Sequence, residues 1–359
     1  MSNRTYGFHK ASSRFGWQPP FVTGEIWDER VVLGHGAGGR KMHRLIRQVF
    51  LRHFGGRTLK RLEDAAVFRS PGRRLGLSTD SYVVQPLFFP GGDIGKLAVC
   101  GTVNDLAVMG AIPMQLSVGF ILREGLKIET LERICSSIGR MARTVGLEVV
   151  TGDTKVIERG TDEGIYVNTT GVGSVPKDLR LGPELIRPGD RLLINGPIGE
   201  HEAAVALARG SYRFKGRIAS DCAPLHRLTV RLLRAGGVRM MRDPTRGGLA
   251  TTCNELADAC GLGFILDEDA IPVSRSVRAV ADLLGIEPLY MANEGKVLVV
   301  CAAKSATKLV HEIHRDAKGR NGRVIGEVVS EPQGVWLRTR VGSLRRLIML
   351  EAEQLPRIC

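Results

Sequence analysis

The residues able to do chemistry fall at the joints between apolar runs. The first group is the glycine loop Gly34-His35-Gly36-Ala37-Gly38-Gly39. Its missing side chains let consecutive backbone N–H groups wrap a phosphate. Glycine loops also precede helices for geometric reasons, and this one fits neither the Walker A spacing nor G-x-G-x-x-G. Gly91-Gly92-Asp93-Ile94-Gly95-Lys96-Leu97 is a near miss that lacks one spacer and the hydroxyl residue. A P-loop enzyme and a Rossmann dehydrogenase are both disfavoured.

A second group is acidic: Asp64, Asp80, Asp105 and Asp153, each at a strand end or in a polar turn. Carboxylates converging from separate elements suit Mg²⁺ bridging ATP phosphates, because a hard ion wants oxygen ligands. Any one of them alone reads as readily as a helix cap or turn residue. The third group is Asp243-Pro244-Thr245-Arg246-Gly247-Gly248-Leu249, where proline fixes the entry, paired glycines admit close approach and a helix N-terminus follows. A structural turn with Arg246 on the surface explains it equally well. The fourth is the terminus, Leu355-Pro356-Arg357-Ile358-Cys359. A final cysteine after a proline-stiffened segment has no packing role, and prenylation would need three residues after it.

The pattern of apolar residues supplies the elements that must position these groups. Strands are expected at 31–33, 75–78, 116–122, 147–151, 165–175, 191–195, 264–266, 296–301 and 323–329. Helices are expected at 41–54, 94–109, 130–145, 200–208, 225–235, 249–259 and 303–317. The order is mixed α/β. A turn-rich passage around Pro183 and Pro188 marks a break, giving a loose extension at 1–26, a first domain at 27–178 and a second domain at 179–334. Beyond it, 335–359 reads as a flexible tail with one short strand pattern at 335–337.

Composition narrows the class. A chain of 359 residues suits two packed cores, and no apolar run approaches bilayer length. The seven cysteines are scattered and never form C-x-x-C, which excludes a disulfide framework and a zinc site and fits a reducing cytoplasm. Six sit in apolar or small-residue surroundings as buried small hydrophobes, and Cys359 stands apart. The net charge of +14 is concentrated between Arg40 and Arg74, yet aromatics are few and no nucleic-acid-binding pattern occurs. A solvated face or an anionic partner is the better reading, with no nucleic acid and no membrane.

Taken in order, His35–Arg40, Thr79–Leu97, Gly101–Ala107, Gly152–Val156, Ser220–Leu225, Asp243–Gly248, Asn293-Glu294-Gly295 and Pro356-Arg357-Ile358-Cys359 resemble the HypE family of hydrogenase maturation factors over residues 27–359. The resemblance implies a two-domain α/β fold like that of aminoimidazole ribonucleotide synthetase, and a homodimer formed through N-terminal sheets. It implies that Cys359 receives a carbamoyl group from HypF. ATP with Mg²⁺ then drives dehydration to a thiocyanate, and cyanide passes to iron on a HypC–HypD complex, all in the cytoplasm. On this resemblance Cys359, Lys155 and Glu294 carry the chemistry, Glu294 as base. ATP is bound by Gly36, Gly38, Gly39, Asp64, Asp80, Asp105, Asp153, Asn168, Asp243 and Arg246, with Asp64, Asp80, Asp105 and Asp153 on the metal. His201 falls in the site's neighbourhood.

Overall fold

The computed structural model describes residues 28–32, 45–55, 74–159, 164–210 and 216–349. The glycine loop, Asp64, Cys359 and the extension at 1–26 lie outside the described residues. In place of the strand expected at 31–33, Arg30 forms an isolated bridge with Lys127, and the Val31 N–H donates to Leu126 O at 2.6 Å. Residues Ile46–Phe50 form a π-helical turn leading into α1 (Leu51–Phe54), and the rings of Phe50, Phe54 and Phe120 stack.

The first half is built on β1 (Arg74–Tyr82), the small hairpin β2 (Phe88–Phe89) and β3 (Gly92–Asp93), and α2 (Ile94–Val108). It continues through β4 (Ile112–Arg123), α3 (Ile128–Val145), β5 (Glu148–Ile157) and β6 (Ile165–Val175). The sheet order is β1-β6-β4-β5, antiparallel except for the parallel β4–β5 pair. Helix α2 starts where the Asp93 carboxylate accepts from the Gly95 and Lys96 N–H groups at 2.8 and 3.0 Å. Nearly all of α2 is buried, because apolar and small residues surround its whole circumference. One side packs on the sheet, another on α3, and a third on the second half of the chain.

That second half contains β7 (Arg191–Ile194), α4 (Glu200–Arg209), α5 (His226–Ala235), β8 (Val238–Arg242), α6 (Gly248–Cys260), β9 (Gly263–Asp267) and α7 (Arg275–Leu284). It closes with β10 (Leu298–Cys301), α8 (Ala306–His314), β11 (Arg323–Val329), β12 (Gly334–Arg338) and β13 (Leu344–Leu347). Its strands form a seven-stranded sheet in the order β13-β12-β9-β11-β7-β10-β8. Separate apolar clusters lie around the two sheets.

The segment expected as a tail from 335 onward begins inside this sheet. Strand β12 runs parallel to β9, β13 closes the edge, and Val335, Leu337 and Leu347 are buried. The arginines between them face outward: Arg338 pairs with Asp267 at 2.6 Å, and the Arg346 guanidinium lies over the Trp336 ring. Leu337→Ala is expected to destabilise the protein by about 2–4 kcal/mol through lost burial and a residual cavity. Urea unfolding checks this, and an unchanged midpoint would place Leu337 outside the core.

Candidate active site at the seam between the two halves

Helix α2 brings the two halves together at a patch of carboxyl groups. Asp105, on α2, accepts a 2.6 Å hydrogen bond from Ser78 Oγ of β1. Asp80 follows two residues along the same strand on the same side. Asp243 arrives from the loop after β8, and Glu294 from the loop before β10. The proton affinities of Asp105, Asp243 and Glu294 are raised. Burial pushes the Asp243 carboxyl up to about 7, with Asp105 and Asp80 adding repulsion. Burial likewise lifts Glu294 well above the usual carboxylate range, with Cys222, Asp221, Asp243 and Asp80 contributing. Asp105 is raised by burial and by Asp80, against the opposing Ser78 hydrogen bond.

The loop carrying Glu294 is fixed almost atom by atom. The Ala292 N–H donates to Glu202 Oε2 at 2.7 Å, and the Glu294 and Gly295 N–H groups donate to the two carboxylate oxygens of Asp221 at 3.2 and 3.1 Å. The Glu294 carbonyl accepts from Asn104 Nδ2 of α2 at 3.3 Å. Asn195 accepts from the Val297 N–H and donates to the Gly295 carbonyl. Gly295 is required here because a Cβ would collide with the backbone of Asp221. Lys296, 4% exposed at its side chain, pairs with Asp221 at 3.0 Å and Glu200 at 3.2 Å. His201 is fully buried with Nδ1 2.8 Å from Ser220 Oγ, and burial lowers it to about 4, so it is neutral at pH 7.

The residues expected at the site separate into two places. In the β1-β6-β4-β5 sheet, Ser81, Asn168, Gly119 and Asp153 form one cross-strand row, so Asp153 points to the face opposite Asp80. It also stands three strand spacings away, about 14 Å. Lys155 shares that outward face and is exposed. Asn168 Nδ2 donates to the Asp80 carbonyl at 3.0 Å and to Ser81 Oγ at 2.9 Å, tying the row to the end of β1. Asp80, Asp105, Asp243 and Glu294 therefore converge within the chain, whereas Asp153 and Lys155 do not join them. Arg246 is exposed at the start of α6. Packing accounts for Gly248, whose added Cβ would lie 2.6 Å from the Met291 carbonyl. Among the described residues no three His, Cys, Asp or Glu side chains are grouped closely enough to hold a metal ion unaided. The acid patch still suits Mg²⁺, which takes one or two carboxylates and completes its shell with phosphate and water.

Sequence reasoning missed Asp221, Lys296, Asn104 and Asn195. The available signal was the dense polar run Asn293-Glu294-Gly295-Lys296 directly before an apolar strand, because buried polar residues need partners elsewhere.

This fold is that of the AIR synthase related proteins: that family's N-terminal domain matches residues 62–175 and its C-terminal domain residues 187–337. The carbamoyl dehydratase HypE of Cupriavidus necator is 46% identical over 349 residues, covering 96% of this chain and 99% of its own. That of Escherichia coli is 44% identical over 334 residues, covering 92% and 99%. A crystal structure of the hydrogenase maturation protein HypE in complex with ATP superposes with a TM-score of 0.88 at 44% identity, covering 91% of this chain and 99% of that one. A HypE–HypF complex gives 0.75 at 40% identity, covering 85% and 99%. The chain belongs to the HypE carbamoyl dehydratase family. A thiamine-monophosphate kinase from Stenotrophomonas maltophilia, 18% identical with a TM-score of 0.60, shares the fold alone.

The raised carboxyls set the pH dependence of stability. Asp243 has a folded pKa of about 7 against an unfolded value of about 3.9, so the native state holds the proton longer. Stability from this group is fully present below the unfolded value and is lost as pH rises through about 7. Asp243→Asn is accordingly expected to raise Tm more at pH 8 than at pH 5. Calorimetry at the two pH values checks this, and an equal or reversed gain would contradict the assigned burial.

Proposed function

We propose that this protein uses ATP to dehydrate a carbamoyl group held on the Cys359 sulfur, yielding a thiocyanate that supplies cyanide to the iron of [NiFe]-hydrogenase during its maturation. Support comes from relatives named carbamoyl dehydratase HypE over almost the full chain. The structural observation that carries the reading is Glu294, a buried carboxyl whose raised proton affinity makes it a stronger base than an ordinary glutamate.

The chemistry follows from the leaving group. Oxide cannot leave a carbamoyl carbon, but attack of its oxygen on the γ-phosphorus of ATP releases ADP and makes that oxygen part of a phosphate. The two nitrogen protons then depart, the C–O bond breaks, and phosphate leaves S–C≡N. Glu294 accepts a nitrogen proton, and its rigid backbone keeps the carboxyl from drifting off line. One or two of Asp80, Asp105 and Asp243 would contribute oxygens to Mg²⁺, whose charge would offset that of the phosphates. The family resemblance assigns phosphate binding to Gly36, Gly38 and Gly39, which lie outside the described residues. Lys155, with Asp153 and Asn168 on the sheet face opposite Asp80, would neutralise developing negative charge only across a pairing of two copies.

We also propose a homodimer. The outward face of the four-stranded sheet exposes Leu75, Leu77, Val83 and Ile121, with Leu77 71% exposed, an apolar surface that a second copy would cover. Lys155 and Asp153 lie on that face, so pairing brings them to the interface. HypF is the proposed carbamoyl donor, because a HypE–HypF complex has been solved for a relative. HypC–HypD, implied by the family resemblance, is the proposed acceptor of cyanide, and the cytoplasm the proposed compartment.

The central test is the intact mass of the C-terminal peptide after incubation with a carbamoyl donor and ATP. A carbamoyl adduct that then loses one water is expected in the native protein. Lys155→Ala and Glu294→Gln should stop at the carbamoyl adduct, and Cys359→Ala should acquire none. Thiocyanate formed by Glu294→Gln at the native rate would refute its role. For the dimer, Leu77→Asp is expected to give a monomer by light scattering at micromolar concentration, where the native chain is a dimer; a monomeric native chain would refute the pairing.

A further inference from the structure

Asp221 is a carboxylate of unusual placement. It is 4% exposed, and it does not join the acid patch as a further repelling charge open to a cation. Its two oxygens are occupied by consecutive amides of one loop, those of Glu294 and Gly295. Lys296 Nζ approaches the second oxygen at 3.0 Å and reaches Glu200 on its other side, so the carboxylate has one rotamer that satisfies every partner. Burial alone would push Asp221 up, yet Lys296, His201 and the Glu294 amide hold it below the usual carboxylate range. It is ionised at neutral pH while Glu294, whose backbone it binds, is protonated more readily than usual.

The segment around Asp221 is itself anchored. Ser220 Oγ accepts from the Cys222 N–H at 3.1 Å and contacts His201. The Ala223 carbonyl accepts from Asn104 Nδ2 at 3.2 Å, and the Leu225 N–H donates to Asn104 Oδ1 at 2.8 Å. Asn104 thus holds both the segment bearing Asp221 and the Glu294 carbonyl.

We infer that Asp221 is a positioning residue for the dehydration, fixing the Glu294 backbone through two amides while Lys296 and Glu200 lock the clamp in place. The inference rests on the reading of Glu294 as the base. Asp221 touches no reacting atom. It acts by restricting where the Glu294 carboxyl can stand and by placing a fixed negative charge beside it.

The charged and titratable groups facing Glu294 are Asp221 and Cys222 from the second half, Asp243 from the loop after β8, and Asp80 and Tyr82 from the first half. Asp221→Asn keeps the size and one acceptor but loses the charge and one amide bond. Full-length Asp221→Asn is expected to accept the carbamoyl group and bind ATP within about twofold of native, because its partners lie behind the acid patch. Its kcat for thiocyanate formation should fall by at least about tenfold, roughly the weight of one misplaced contact at a reacting centre. The KM for ATP should hold. The rising limb of the pH–rate profile should move to lower pH, since removing a neighbouring anion lowers the proton affinity of Glu294. If the single variant does not fold, Asp221→Asn with Lys296→Gln leaves no orphan cation from this pair and is read the same way. Glu294→Gln serves as the control. Native dehydration by Glu294→Gln would remove the base reading itself. An inactive Glu294→Gln beside an Asp221→Asn protein with native kcat and an unmoved limb would overturn the positioning role alone.

Discussion

A carboxylate taken out of water needs hydrogen bonds or a cation in return, and the seam between the two halves meets that need unequally. Asp221 receives two amides and the Lys296 ammonium. For Glu294, the hydrogen bonds among the described residues go to its backbone, not its carboxyl. The first group is therefore a fixed anion and the second an acid with a raised pKa, a division of roles that environment alone imposes on two like side chains. The rest of the architecture serves to keep these two groups apart in character and close in space.

Helix α2 is what makes the seam possible. It is apolar enough to be buried on nearly every side, so it can lie under the first sheet and still present Asn104 and Asp105 to the second half. Its glycines permit the close approach: at Gly95 an added Cβ would meet the Ile134 carbonyl at 2.6 Å. The acid patch carries a stability cost, because carboxyls with raised proton affinity lower native-state stability at neutral pH. Such costs recur where a site must bind a cation and polyphosphate.

Much of the fold was legible in the sequence because its elements follow plain periodicities. Strands β6 and β11 fall at 165–175 and 323–329 as the apolar runs indicate, and α2 ends one residue short of the expected 109. Strand β8 was missed because Arg239 and Arg242 break its apolar run while pairing with Asp190 and Glu255 across space. The same disguise hid β13, whose Arg345 bonds to Glu287 and whose Arg346 lies over Trp336. Asp80 and Asp105 stood out at an element's polar end and in a polar turn. Asp221 did not, since its partners are amides 73 and 74 residues further along the chain, a relation that no local spacing encodes. Nor could spacing reveal that Asp153 and Lys155 face away from Asp80, which depends on strand order and register.

The claim that most depends on this geometry is that Glu294 is a buried acid tuned for proton transfer. Carbon-13 NMR of glutamate-labelled protein, with Glu294→Gln identifying the resonance, measures its titration directly. The account predicts a midpoint well above the ordinary 4.5, falling when Mg²⁺ and ATP are added. A midpoint near 4.5 that does not respond to Mg²⁺ and ATP would contradict it.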